Sequence, residues 1–201
     1  MILTFLGTGT SQGIPVIACD CDVCTSLDPH DKRLRTAVMF TINDINIVID
    51  VGPDFRQQML TNKVQDIHSI LLTHEHNDHV MGLDDVRPFN FKYRKSMSIY
   101  CSKRVIDSLT VRFHYAFGGN PYPGAPRLEL KEITKDTPFE IEGQQIIPIE
   151  VMHGRMTVLG FRFGDITYIT DAKVIEEKEL EKIKGSKILI INALRKETHH
   201  S

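Results

Sequence analysis

Short apolar runs separated by turn residues recur along the whole chain, and this pattern is typical of a protein built from sheets. Two pairs of runs meet at the dipeptides Asn43-Asp44 and Gly164-Asp165, which favour hairpin turns. The pattern predicts strands at residues 2–6, 36–42, 45–50, 67–73, 97–101, 144–152, 160–163, 166–170 and 187–192.

Helical patterns lie between these strands. Pro53 directly follows Gly52 and favours the start of a helix. Helices are predicted at residues 53–60, 80–91, 103–115 and 175–183, and the residues 118–126 are rich enough in glycine and proline to predict a loop. Two strand-rich stretches, each followed by helix, predict two sheets packed face to face with helices outside. We expect an α/β (α+β sandwich) fold in a single domain, residues 1–201.

Composition and charge narrow the class of protein. The 201 residues are 41% hydrophobic, which is enough to fill a core. The 24 Lys and Arg against 26 Asp and Glu give a net charge of −2, so binding of nucleic acid through bulk charge is not expected. No apolar run reaches the roughly 18 to 20 residues that a membrane helix needs. We expect a cytoplasmic protein with a small-molecule partner, and the sequence leaves a homodimer open.

Three histidines and an aspartate lie within six residues, directly after a predicted buried strand. His74 and His76 are spaced by two, which puts them on one side of an extended chain about 6.6 Å apart, close enough to converge on one ion. Asp78 and His79 follow and can face a second ion, because carboxylate oxygen and imidazole nitrogen both suit zinc or manganese. A solvated polar loop with Asp78 capping a helix is the alternative, but it does not explain this density of ligands.

Three of the four cysteines form a C-x-C-x-x-C cluster, Cys19, Cys21 and Cys24. In a reducing compartment such close cysteines are better explained as thiolate ligands of a structural zinc than as disulfides. Three thiolates leave a tetrahedral site one ligand short, so reduced thiols on a loop are the alternative. Cys101 lies in an apolar run and is predicted to be a small core residue.

The segment from His74 to His79 resembles the H-x-H-x-D-H signature of the metallo-β-lactamase superfamily. Gly13-Ile14-Pro15 followed by the cysteine cluster is similar to the PhnP-like phosphodiesterases, which hydrolyse phosphoribosyl cyclic phosphates. The resemblance implies the four-layer αββα fold of the superfamily. Its other recurring elements correspond to Leu6-Gly7-Thr8-Gly9, Ile49-Asp50-x-Gly52, Met152-His153-Gly154 and Tyr168-Ile169-Thr170-Asp171.

The resemblance also implies a set of metal ligands. One divalent ion would be held by His74, His76 and His153, the other by Asp78 and His79, with Asp171 bridging the two; zinc, manganese and iron all accept such ligands. Two ions acidify a shared water, so a hydroxide would be the nucleophile and Asp78 would orient it. Asp50 is expected to hold the histidine loop through hydrogen bonds.

Basic side chains outside the ligand set are candidates for substrate contacts. Lys173 and His200 are candidate contacts for a substrate phosphate, although each taken singly is better explained as a solvated surface residue. The favoured function is a metal-dependent phosphodiesterase acting on a small cyclic phosphate ester. A tRNA 3′-end-type endonuclease and a thioester or lactone hydrolase are alternatives within the superfamily, and a non-catalytic metal-binding scaffold is an alternative of another class.

The end of the chain departs from the superfamily pattern. Members normally continue beyond the strand at residues 187–192 with a helix, a further strand and a T-H-x-x-H-like segment, whose histidines complete the second metal and the cysteine site. The adjacent His199 and His200 do not match that segment. We therefore expect that a C-terminal part of the fold is missing and that this species binds the first metal best, with weak turnover or none.

Overall fold

The structure is a computed structural model, and it describes residues 1–118 and 122–194. Its first sheet has six strands in sequential order, antiparallel over the first three and parallel over the last four. The strands are β1 (Ile2–Gly7), β2 (Ala37–Ile42), β3 (Ile45–Ile49), β4 (Ser69–Leu71), β5 (Met97–Cys101) and β6 (Leu128–Glu132).

The second sheet has five strands in the order β11-β10-β9-β8-β7. The pair β10 and β11 is parallel and the other pairs are antiparallel. Its strands are β7 (Phe139–Ile141), β8 (Gln144–His153), β9 (Met156–Phe163), β10 (Ile166–Tyr168) and β11 (Ile188–Ile190).

Helices cover the outer faces of the two sheets. They are α1 (Asp22–Thr25), α2 (Phe55–Thr61), α3 (Asn77–Val80), α4 (Arg87–Tyr93), α5 (Lys103–Arg112), α6 (His114–Phe117) and α7 (Glu177–Ile183), with short 3₁₀ helices at Pro29–Asp31 and Leu83–Val86. None of the helices within the described ranges is both long and apolar enough to cross a membrane.

The alternation of side chains along the central strands produces four layers. In β2 the side chains of Val38 and Phe40 point to the second sheet, whereas those of Ala37 and Met39 point to the helices. Phe40 stacks on Phe163 of the second sheet with ring centroids 4.0 Å apart. A further apolar cluster, which includes Ile149 and Val158, packs the other face of the second sheet towards the segment that carries α7. The predicted αββα sandwich is therefore confirmed.

Two local predictions differ from the structure. The helix predicted at residues 80–91 is broken, because Gly82 packs its Cα against the carbonyl of Gly52 and a 3₁₀ helix follows before α4 begins. The strands β6 and β7 were not predicted: β6 carries charged Glu129, Lys131 and Glu132, and its pairing with β5 is a tertiary contact. Cys101 is fully buried, as predicted.

Candidate metal centre

The candidate ligands and the supporting residue Asp50 come from four places in the chain, and the strand directions bring them together. Asp50 follows β3 and the histidine segment follows β4, and the carboxyl ends of these parallel strands lie at one edge of the first sheet. In the second sheet β8 and β10 are both antiparallel to β9, so their carboxyl ends share an edge as well. His153 ends β8 and Asp171 follows β10. Leu159 of β9 donates its backbone N–H to the Thr73 carbonyl at 3.0 Å, which joins the two edges.

Two groups of potential ligand atoms overlap at one carboxylate. The donor atoms of His74, His76 and Asp171 all lie within 4.8 Å of one another, and so do those of Asp78, His79 and Asp171. Oδ2 of Asp171 is 3.6 Å from Nε2 of His74 and 3.2 Å from Nε2 of His79. A single carboxylate thus lies between two sets of ligands.

Buried nitrogens without partners test whether a metal fits here. Nε2 of His74, Nε2 of His79 and Nδ1 of His153 are buried and make no hydrogen bond of good geometry with any described residue. An orphaned buried donor or acceptor costs about 1–3 kcal/mol, so three in one place call for a common partner. Imidazole nitrogens and carboxylate oxygens are the ligand set of zinc and manganese. The residues present therefore fit a divalent metal.

The other ring nitrogens of two histidines are occupied by a hydrogen-bond network around Asp50. Nδ1 of His79 lies 2.7 Å from Oδ2 of Asp50. Thr73 donates its hydroxyl to Asp50 at 2.9 Å and lies 2.9 Å from Nδ1 of His74, from which it accepts. The Thr73 N–H also donates to Asp50 at 2.9 Å. Hydrogens on both Nδ1 atoms leave both Nε2 lone pairs free to bind an ion.

Burial and neighbouring charge shift the pKa values of these groups. Burial, followed by the charge of His79, lowers the pKa of His74 to about 2, so that ring is neutral and able to bind metal. Burial also opposes a charge on His79, but the carboxylates of Asp50, Asp171 and Asp78 raise its pKa well above the ordinary value. Three carboxylates around one imidazole create a place for positive charge, which a proton fills in the metal-free chain and a divalent ion can take over.

The pKa values of the Asp171 and Asp78 carboxylates shift in the opposite direction to that of His79. Burial raises the pKa of Asp171 and of Asp78, yet the imidazole of His79, whose Nε2 lies 3.2 Å from each carboxylate, holds both pKa values below the ordinary range. Both side chains are therefore ionised at neutral pH and act as acceptors or ligands.

The backbone around the centre is tightly constrained. Asp50 and Asp171 both have left-handed conformations, with φ of +66° and +54°, which aspartate tolerates better than most residues. The Val51 N–H donates to the His79 carbonyl at 2.7 Å. A Cβ on Gly52 would lie 2.0 Å from the Asp78 carbonyl oxygen, so only glycine allows this approach.

Two other predicted site residues, His153 and Lys173, lie outside the two ligand groups. The ring centroid of His153 lies 6.0 Å from that of His74 and 5.5 Å from that of His76, so His153 is a neighbour of the first group but not part of its 4.8 Å cluster. Lys173 is exposed and its backbone N–H donates to Met152 at 2.8 Å. His200 lies outside the described residues.

The three clustered cysteines form a separate potential metal site. The sulfurs of Cys19, Cys21 and Cys24 lie within 4.8 Å of one another, and the described ranges add no fourth ligand to the group. The backbone N–H of Val16 donates to the Cys24 sulfur at 3.3 Å. The pKa of Cys21 is lowered, chiefly by the backbone of Cys24, which favours a thiolate there.

Sequence reasoning missed Thr73 and two arginines of α5 that contact the histidine segment. Thr73 precedes the first histidine and could have been noticed as a hydroxyl ending a buried strand. Arg104 and Arg112 reach Glu75 from 29 and 37 residues away, and no local pattern indicates such contacts.

Comparison with known proteins agrees with this architecture. Residues 45–201 match the model of the β-lactamase superfamily domain. A crystal structure of a new diphosphatase from the PhnP family superposes with a TM-score of 0.90 at 38% identity, covering 99% of this chain and 76% of that one. Zinc-bound PqqB from Methylobacterium extorquens superposes with a TM-score of 0.75 at 18% identity, covering 94% of this chain and 72% of that one, and shares the fold.

A curated relative is much longer than this chain. The octanoyltransferase of Porphyromonas gingivalis is 44% identical over 197 residues, which are 97% of this chain and 39% of that protein. The chain spans about two fifths of the length of curated relatives that it matches.

A sandwich of two sheets with helices outside, and with histidines and aspartates gathered at the strand ends, defines the class of metallo-β-lactamase-fold proteins, whose members include metal-dependent hydrolases. The chain belongs to the β-lactamase superfamily and, within it, to the PhnP family.

Proposed function

We propose that the chain is a two-metal phosphohydrolase that cleaves a small phosphate ester, and that its favoured substrate is a cyclic phosphodiester of the phosphoribosyl type. The observation that carries the proposal is the position of Asp171, whose Oδ2 atom lies within 3.6 Å of His74 Nε2 and within 3.2 Å of His79 Nε2. A carboxylate shared between two ligand groups suits a pair of neighbouring ions, which lie about 3.5–4 Å apart in two-metal sites.

The residues divide into two ligand groups. His74 and His76, with His153 beside them, would hold one ion, and Asp78 with His79 would hold the other; Asp171 would reach both. When bound, two divalent ions lower the pKa of a water molecule towards 7 and neutralise charge that develops on phosphate oxygens. Zinc and manganese, and also iron, suit these ligands.

The protein's own part is to hold these groups in position. Asp50 and Thr73 fix the ring orientation of His79 and His74, so the ring nitrogens face the centre without rearrangement.

Asp78 is the candidate catalytic residue, because its carboxylate can accept a hydrogen bond from the attacking water and orient it. His76 is exposed and marks the side from which a substrate enters. Lys173 follows Asp171 by two residues and is the candidate contact for a substrate phosphate.

The net charge of −2 supports a small substrate rather than a long polyanion, and two relatives suggest which bond is cleaved. The PhnP-family neighbour is a diphosphatase, so cleavage of a phosphoric anhydride is the nearest variant of the same phosphoryl transfer to water. The 44% identical octanoyltransferase supports a second candidate, hydrolysis of an acyl thioester by the same centre. The cysteine group is proposed to hold a structural zinc, apart from the reaction.

The test is a substrate panel with matched variants. The purified chain, loaded with zinc or manganese, is assayed with a phosphoribosyl cyclic phosphate, a diphosphate diester, a linear phosphodiester, RNA with a 3′ trailer and an octanoyl thioester. Asp78→Asn should abolish turnover, whereas Asp165→Asn, which removes an exposed carboxylate paired with Lys187, should not change it. Turnover of RNA alone or of the thioester alone would replace the proposed substrate. Equal activity of Asp78→Asn and the unmodified chain would exclude this centre.

A further inference from the structure

Two arginines on α5 contact the segment between the candidate ligands. Arg112 donates from Nη1 to the main-chain oxygen of Glu75 at 2.6 Å and to Oδ1 of Asn77 at 2.9 Å. Arg104 donates from Nε to the Glu75 carboxylate at 2.7 Å. Glu75 and Asn77, two of the three residues that separate His74 from Asp78, are thus bonded to a helix that follows them by about 30 residues in the chain.

The helix that carries these arginines is fixed in the core. Val105 and Leu109 of α5 are buried in the apolar cluster between the first sheet and its helices. Both bonds come from the one nitrogen Nη1, whose hydrogens lie in the plane of a rigid guanidinium, so the directions of the two acceptors are fixed relative to each other. Arg112 therefore sets the position of the Glu75 carbonyl and of the Asn77 side chain relative to the packed core.

The two acceptors of Arg112 belong to different parts of the proposed centre. The Glu75 carbonyl lies between His74 and His76, which belong to the first ligand group. Asn77 begins α3 and directly precedes Asp78, which belongs to the second ligand group. One side chain therefore contacts the segments of both groups, through the Glu75 carbonyl and the Asn77 side chain.

We infer that Arg112 is a positioning residue of the metal centre, which fixes the spacing of the two ligand groups without binding metal or substrate itself. The inference rests on the proposed two-metal site. Arg104 assists from the same helix, because one oxygen of the Glu75 carboxylate is buried without a partner among the described residues while the other accepts from Arg104.

The experiment measures metal affinity and stability separately. Metal-free chain is titrated calorimetrically with zinc and with manganese, and its urea unfolding is followed in the absence of metal. Arg112→Ala should weaken metal binding by tenfold or more, the range seen when groups that support ligands are removed. Its unfolding midpoint should stay close to that of the unmodified chain, because Arg112 is exposed. Arg112→Lys keeps the positive charge but replaces the planar guanidinium with an ammonium. Its metal affinity should lie between those of Arg112→Ala and the unmodified chain.

Lys103→Ala is the matched control, because Lys103 begins the same helix and pairs with Asp107 of that helix rather than with the histidine segment. Asn77→Ala removes the side-chain acceptor of Arg112. Because both variants break the same hydrogen bond, their effects on metal affinity should not add. If Arg112→Ala bound metal as tightly as the control, or if the two effects added fully, the inference would be wrong. A metal-free chain that binds neither metal would remove the proposed function and this inference together.

Discussion

The carboxylate of Asp50 lies 2.7 Å from Nδ1 of His79, and both side chains are completely buried although 29 residues separate them in the chain. The same carboxylate accepts the hydroxyl of Thr73, which in turn accepts from His74. One buried acid therefore orients a histidine in each of the two ligand groups.

Replacing Asp50 should weaken metal binding more than it alters the fold. Asn tolerates the left-handed backbone at this position, so Asp50→Asn keeps the local conformation but removes the charge that supports His79. We expect the affinity for zinc or manganese to fall about 10- to 100-fold. Metal titration measures this, with Asp165→Asn as the control for loss of an exposed acid. Unchanged affinity in Asp50→Asn would contradict the orienting role of this carboxylate.

Removing the hydroxyl of Thr73 should affect both stability and metal binding. In Thr73→Val the Nδ1 atom of His74 keeps its burial but loses its acceptor, which costs about 1–3 kcal/mol of unfolding free energy. The ring is then free to change its tautomer, so metal affinity should fall as well. Urea unfolding and metal titration measure the two effects, and Thr73→Ser, which keeps the hydroxyl, should retain most of both.

The fold was predictable where local patterns decide it. Residues 97–101 were predicted as a strand and form β5 with the same bounds, because buried residues alternate there without interruption. The strand β6 was missed because Glu129, Lys131 and Glu132 give it the polarity of a surface segment, and only its pairing with β5 makes it a strand.

The site was predictable to the extent that its residues are close in sequence. The spacing of His74, His76 and Asp78 indicated a metal site directly, whereas Asp171 came from the family resemblance, since it meets His79 across 92 positions. Arg112 was indicated neither by spacing in the sequence nor by the family resemblance. Its contact with Glu75 depends on how α5 packs in the core, and no short motif encodes that packing.

A methyl group at Gly52 should disturb the centre more than a methyl group at an open glycine. The Cβ of Gly52→Ala would lie 2.0 Å from the backbone oxygen of Asp78, so the segment that carries the ligands must move. Gly143 has a φ of +78° and open space around its Cα, so Gly143→Ala should cost only about 1–2 kcal/mol of backbone strain. Urea unfolding should give a larger loss for Gly52→Ala, together with weaker metal binding. Equal losses would show that the close approach is relaxed in solution.

The cysteines should divide by reactivity. Burial, with a smaller effect of Glu132, raises the pKa of Cys101 to about 12, so this thiol has almost no thiolate at pH 8. Cys19 and Cys21 are exposed. We expect iodoacetamide to label Cys19 and Cys21 in metal-free chain, zinc to protect them, and Cys101 to react only after unfolding. Mass spectrometry of peptides measures the labelling of each cysteine. Labelling of Cys19 and Cys21 that zinc does not slow would argue against a structural zinc at the cluster.

The backbone next to Asp171 is held by one asparagine. Asn192 follows β11 and accepts from the Ala172 N–H at 2.9 Å, while its own amide donates to the Ala172 carbonyl at 3.2 Å. This pair of hydrogen bonds secures the residue after Asp171, whose left-handed backbone is held in place by its surroundings.

Asn192→Ala should therefore lower metal affinity as well as stability. Two lost hydrogen bonds at about 0.5–1.5 kcal/mol each set the scale of the loss in unfolding free energy. Asn46→Ala is the matched control: Asn46 also makes side-chain hydrogen bonds, to Thr41 and to the Asp66 carbonyl, but it lies near the start of β3, away from the strand end that leads to Asp50. We expect similar stability losses in urea for both variants and a weaker zinc titration for Asn192→Ala alone. If both variants bound zinc equally well, Asn192 would contribute to folding and not to the placement of Asp171.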